Sequence, residues 1–249
     1  MKIVLLKKYL PFIILGLGVL VFVVAFFIMR RPAKVVTEED EEGNLIELKL
    51  EEIPVVSLTP TTDGHYLNLK IEKIKVPKAV TMDFQFLYDV PDKVQQGSSG
   101  DDIDISSGSF ESELLLGSES AGKFRYDEGV EKGVLTLWFR DSDKKLVTKL
   151  ETEFHMQSDS DILSSNDEIF KFELEKSKGI YVVMNTLGLP DGYEFDINSV
   201  KSGPYGVFSE STGDGNAVFT DAGDYYKFDG NWGKSDSGMG IFVLLKSSE

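Results

Sequence analysis

Apolar positions follow two different periods along this chain. From Tyr9 to Met29 the sequence "YLPFIILGLGVLVFVVAFFIM" carries no formal charge. A helix of this length, apolar on every side, spans roughly the 30 Å hydrocarbon core of a bilayer. Lys7 and Lys8 bound the run on one side and Arg30 and Arg31 on the other, with Pro11 in the first turn, where a missing N–H costs little. The run is longer than the apolar segment of a cleavable signal peptide, and no small-x-small site follows it. A retained transmembrane signal-anchor is therefore expected. The flanking basic residues tie, so the short N-terminal tail decides orientation and puts the C-terminal domain outside the cytoplasm.

Beyond Ile53 the period changes to two. In "YLNLKI", Leu67, Leu69 and Ile71 share a face, as do Met82, Phe84, Phe86 and Tyr88 with Val80 in "VTMDFQFLY". Leu135, Leu137 and Phe139 alternate in the same way, and in "LVTKLETEFHM" Leu146, Leu150, Phe154 and Met156 oppose Lys149, Glu151, Glu153 and His155. These are half-buried antiparallel strands. Asp141–Lys145 reads as a hairpin tip. Further short strands are predicted at 170–174, 180–185, 193–197, 205–208, 217–220, 225–228 and 241–245.

The predicted fold class is all-β: a single N-terminal transmembrane helix followed by one or two antiparallel β-sandwich units of Ig-like size. The expected organisation is a short tail (1–8), the membrane helix (9–29), a basic flank and acidic stalk (30–52), a first sandwich (53–157), a polar linker (158–168) and a second, smaller β unit (169–249). A single elongated sandwich is the alternative for the body.

Charge narrows the partners. All 42 acidic residues and only 20 of the 26 basic ones lie beyond residue 34, so that part carries a net −22. It repels nucleic acid and anionic lipid headgroups, which leaves Tyr9–Met29 as the expected contact with membrane. The chain has no Cys, which removes disulfides, thiolate metal sites and Cys nucleophiles.

Catalytic signals are thin. Ser142-x-x-Lys145, Ser164-x-Asn166 and Lys201-Ser202-Gly203 imitate the ordered motifs of penicillin-binding proteins, but Ser142 falls at a hairpin tip and not at the start of a helix. His65, at a turn, and His155, on a wet strand face, read as solvated residues. No nucleophile elbow and no phosphate-binding glycine loop occurs.

The stretch 212–238 holds five Asp, two Asn and six Gly. Hairpin turns explain such a composition, and hard oxygens in glycine-rich loops are also what calcium requires. Asp214, Asn216, Asp221, Asp224, Asp229 and Asn231 are its candidate metal ligands, and calcium is the one cofactor considered; residues 98–108 form a second acidic loop. Tyr225, Tyr226 and Trp232 are candidate ligand-binding aromatics, because such rings join apolar faces to polar tips.

The expected function is non-catalytic: binding, adhesion or assembly at the cell envelope, with an envelope protein or a glycan as partner. A structural subunit of an envelope or secretion complex is the alternative. A glycan hydrolase working with paired carboxylates is the second.

Overall fold

Alternating side chains and turn residues give the body its strands, and the computed structural model describes residues 45–247 apart from 92, 177 and 212. The apolar segment 9–29, the basic flank and the first part of the acidic stalk lie outside the described residues. Among the described residues no helix is long and apolar enough to cross a membrane.

The chain runs through β1 (Val55–Pro60), β2 (Tyr66–Glu72), β3 (Thr81–Tyr88), β4 (Gln96–Asp104), β5 (Phe110–Leu115), β6 (Gly117–Ser120), β7 (Lys123–Tyr126), β8 (Lys132–Arg140) and β9 (Leu146–Ser158). It continues through β10 (Ile162–Ser164), β11 (Phe170–Leu174), β12 (Ile180–Asn185), β13 (Val200–Phe208), β14 (Gly215–Phe219), β15 (Asp224–Phe228), β16 (Trp232–Gly233) and β17 (Ile241–Leu245). Nine strands form one antiparallel sheet in the order β16-β15-β17-β13-β12-β9-β8-β3-β4. Two three-stranded sheets, β1-β2-β5 and β10-β11-β14, and the hairpin β6–β7 complete the fold. The body is all-β and sandwich-like.

Each small sheet covers a different stretch of the large one. Val56, Leu58, Leu67, Leu69, Ile71 and Leu114 pack on Phe84, Phe86, Leu137, Phe154, Val182 and Met184. Leu163, Phe170, Phe172 and Phe219 pack on Tyr181, Val183, Tyr205, Val207, Phe242 and Leu244. Alternation along β12 therefore sends Val182 and Met184 into one core and Tyr181 and Val183 into the other. That double burial is why β12 is a continuous apolar run, "IYVVM". A third, smaller cluster of Leu189, Val243 and Leu245 closes the β15–β17 end.

Several local expectations meet the structure directly. The tip Asp141–Lys145 is a turn in which the Asp141 carboxylate accepts from the amides of Asp143 and Lys145 at 2.8 and 3.0 Å. Other parts differ. On β9, Val147 is buried and Leu146 only partly so, because the ladder to β8 shifts register between Phe139 and Arg140 and changes the phase of the alternation. The acidic stretch 98–108, read as a loop, supplies most of edge strand β4, whose side chains are largely exposed. The polar stretch 158–168 contains β10, which pairs with the β11 that follows, while β9 before it and β12 beyond β11 pair within the large sheet. The end of the expected stalk lies along the body: Ile46 and Leu48 pack on the first core, and the Ile46 amide donates to the Val147 carbonyl at 2.9 Å.

Candidate functional site

The Asp/Gly-rich stretch folds as β14, β15 and β16 with their turns. Asp214 and Asn216 sit at the start of β14, Asp221 in the β14–β15 turn, Asp224 at the first position of β15, and Asp229 and Asn231 in the β15–β16 turn. At about 3.3 Å per strand residue, Asp224 and Asp229 stand roughly 16 Å apart, whereas calcium needs its oxygens at 2.3–2.6 Å. Three of the carboxylates face lysines instead: Asp221 meets Lys201 at 3.5 Å, Asp224 meets Lys234 at 2.9 Å and Asp229 meets Lys227 at 2.7 Å. Among the described residues no three His, Cys, Asp or Glu side chains converge as a metal site would require. Gly230, with φ +108°, gives the β15–β16 turn a left-handed backbone. Melting temperatures in EDTA and in millimolar calcium should therefore coincide. A calcium ion at a hundred times its dissociation constant would instead add about 2.7 kcal/mol and raise the melting point by several degrees.

The aromatic candidates divide across the sheet. Tyr225 turns toward the second core, edge-on to Phe219 at 5.5 Å, and its hydroxyl accepts from the Phe219 amide. Tyr226 and Trp232 lie on the opposite face with Phe228, where the loop after Leu189 brings up Tyr193 and Phe195. Phe195 meets Tyr226 at 5.2 Å and 62° and Trp232 at 5.2 Å and 89°, while Phe228 meets Trp232 at 5.5 Å and 53°. The Trp232 indole N–H is spent on the Pro190 carbonyl at 3.0 Å, which fixes the ring.

These rings do two things. Tyr193, Phe195, Tyr226 and Trp232 pack against Leu189, Val243 and Leu245 beneath them, yet these four and Phe228 stay only half-buried. Phe195, Tyr226, Phe228 and Trp232 line a cavity of about 300 Å³, with Asp191, Glu194, Asn231 and two glycines completing its wall. Asp191 is partnered by Lys75 at 3.1 Å and Lys73 at 3.5 Å. Those two amines, with burial outweighed, hold its carboxyl below the usual range. Lys73 is itself largely buried, donates to the Leu189 carbonyl at 2.8 Å, and has its pKa lowered chiefly by that burial. The chemistry of their rings marks Tyr226 and Trp232 in the sequence, but the Tyr193 and Phe195 contribution depends on a loop whose path no local pattern gives.

A second cavity, of about 630 Å³, went unseen in the sequence. It lies where the starts of β2 and β12 meet the ends of β7 and β9, and both histidines of the chain line it. Neither is simply solvated. His65 stacks on Tyr126 at 3.7 Å and 2°, with Nδ1 3.1 Å from Asp63. His155 holds the Ser164 carbonyl at 2.8 Å through Nδ1, and burial lowers its pKa.

Four carboxylates, Asp63, Asp127, Glu128 and Glu131, share this wall. The Thr61 hydroxyl and the His65 amide hold Asp63 below its ordinary value. Lys93 at 2.7 Å, helped by the Tyr88 hydroxyl, does the same for Asp127. Tyr88 in turn is pushed up to about 12 by burial and by that carboxylate. A glycosidase acid must be held protonated, with its pKa raised. Asp63 and Asp127 move the other way.

Compared with protein-family models, with curated proteins and with solved structures, the chain finds a match in none of the three.

Proposed function

We propose that this chain is a single-span membrane protein, held by Tyr9–Met29, whose β-sandwich body stands outside the cytoplasm and has a non-catalytic role in binding, adhesion or assembly at the cell envelope. The observation that carries the binding role is the cavity walled by Phe195, Tyr226, Phe228 and Trp232. Rings left half-open around a concavity, with one indole fixed by a hydrogen bond, supply a preformed surface for a partner.

The test is retention of the full chain, reconstituted in vesicles, on isolated envelope fragments. Trp232→Ala should reduce retention at least about tenfold, as loss of a central aromatic anchor does. Equal retention of both proteins would sink the assignment. Placement is tested separately, because the Cys-free sequence gives a clean background for one introduced thiol. Val94 is 82% exposed. In intact cells Val94→Cys should react with a membrane-impermeant maleimide. Reaction only after lysis would put the body on the inside.

A further inference from the structure

We infer that the aromatic cavity recognises an organic cation, an alkylammonium or guanidinium head. The inference rests on the binding reading above and names its ligand class.

The geometry of the rings is the first ground. A sugar platform needs ring faces lying in one plane, so that a pyranose can lie flat across them. Here neighbouring rings stand at 53°, 62° and 89° to one another, with centroids 5.2–5.5 Å apart. Rings at such angles to one another cannot together form one flat platform. That arrangement suits a compact charged head, because each ring's negative face attracts a cation within about 6 Å of its centroid. Trp232, the strongest of these rings for such contact, is locked in place by Pro190.

Charge is the second ground. The polar part of the wall is Asp191, Glu194 and Asn231, and among the described residues no Lys or Arg lines the cavity. Asp191 is already neutralised from outside by Lys73 and Lys75. Glu194 is exposed and makes no ion pair or side-chain hydrogen bond among the described residues, so its charge remains for a ligand. The net charge of −22 beyond residue 34 also draws cations toward the body.

Access is the third. Gly192 and Gly230 line the cavity, and a Cβ added at either would meet nothing within 4 Å. The mouth beside them is open. At about 300 Å³ the cavity has room for a trimethylammonium group with a short tail.

The experiment uses the full chain in a polyoxyethylene detergent, whose head is neither charged nor a sugar. Radiolabelled choline is equilibrated with the protein, and tetramethylammonium and 3,3-dimethylbutan-1-ol, the uncharged carbon analogue of choline, are tested as competitors. Saturable uptake, displaced by tetramethylammonium and not by the alcohol, is expected. In a Trp138→Phe background, where Trp232 is the one remaining indole, choline should change the fluorescence over the same concentration range. Glu194→Gln should weaken uptake roughly two- to fivefold, the range of an exposed charge contact. The choline and alcohol arms use one protein, so a folding defect cannot imitate the difference. No saturable uptake, equal displacement by the alcohol, or uptake that leaves Trp232 unchanged would each overturn the inference. Displacement of the Trp232 signal by N-acetylglucosamine and not by cations would overturn it too, and would leave the binding reading standing. Loss of Trp232-dependent retention on envelope fragments is the separate result that would remove that reading.

Discussion

Phe86→Ala and Phe170→Ala are each expected to lower the stability of the body by about 3–5 kcal/mol, and to do so within one shared unfolding transition. Both side chains are fully buried. Phe86 stacks on Phe154 at 5.3 Å in the first core, and Phe170 lies 5.1–5.6 Å from Tyr205, Phe219 and Phe242 in the second. Truncation leaves a void where those contacts were, and close-packed neighbours relax into it only in part. A typical domain has only about 5–15 kcal/mol in reserve. The two cores share no residue, yet β12 contributes Val182 and Met184 to one and Tyr181 and Val183 to the other. It also pairs with β9 on one side and β13 on the other. Damage to either core loosens the strand on which the other rests. Denaturant titration followed by circular dichroism and by Trp fluorescence should give coincident curves for each variant. Two transitions, with only one displaced by each substitution, would instead mean two units that fold separately.

The strands bearing a clear period of two were legible because one face is wet: Leu67, Leu69 and Ile71 are buried while Asn68 and Lys70 are partly open. β12 and β17 were legible as strands from their short apolar runs, but not as strands buried on both faces, since a run has no phase from which to read a face. Long-range placement was out of reach for the same reason. Nothing local in His65 and His155 says that β2 and β9 bring them to one cavity. In the candidate site, the alternation of strand β15 puts Tyr225 on one face and Tyr226 and Phe228 on the other. The sequence predicts a short strand at 193–197; Phe195 lies instead in the loop that closes the aromatic cavity, where no ladder imposes a period. The calcium candidates illustrate the converse. Six oxygen-bearing residues within eighteen positions looked concentrated, but a strand of five residues separates one turn from the next, and sequence proximity became distance.

Gly188→Ala is expected to cost about 2–4 kcal/mol, a large effect for one methyl group. Gly188 does not need a left-handed backbone; it needs space. A Cβ there would lie 2.1 Å from the Ile53 carbonyl oxygen and 2.8 Å from that of Pro54, both backbone atoms that no rotamer change can move. This is where β1 is sewn to the end of β12: the Gly188 amide donates to Pro54 at 3.0 Å, the Val56 amide to Thr186 at 2.9 Å, and Val55 bridges Leu187. Forcing the two segments apart strains all three contacts and shifts a strand that carries Val56 and Leu58 into the first core. Gly233→Ala is the control, since that glycine has no close neighbour and no positive φ, and it should stay within about 0.5 kcal/mol of the parent. The same substitution reaches the candidate site. The two carbonyls that follow, of Leu189 and Pro190, accept from Lys73 and from the Trp232 indole. Displacing residue 188 should therefore loosen Trp232 and weaken cation uptake at temperatures where the body is still folded. A Gly188→Ala protein that melts like its parent would show that β1 does not seat against residues 186–188. One that melts early but keeps a rigid Trp232 would show that the aromatic wall is held by β15 and β16 alone.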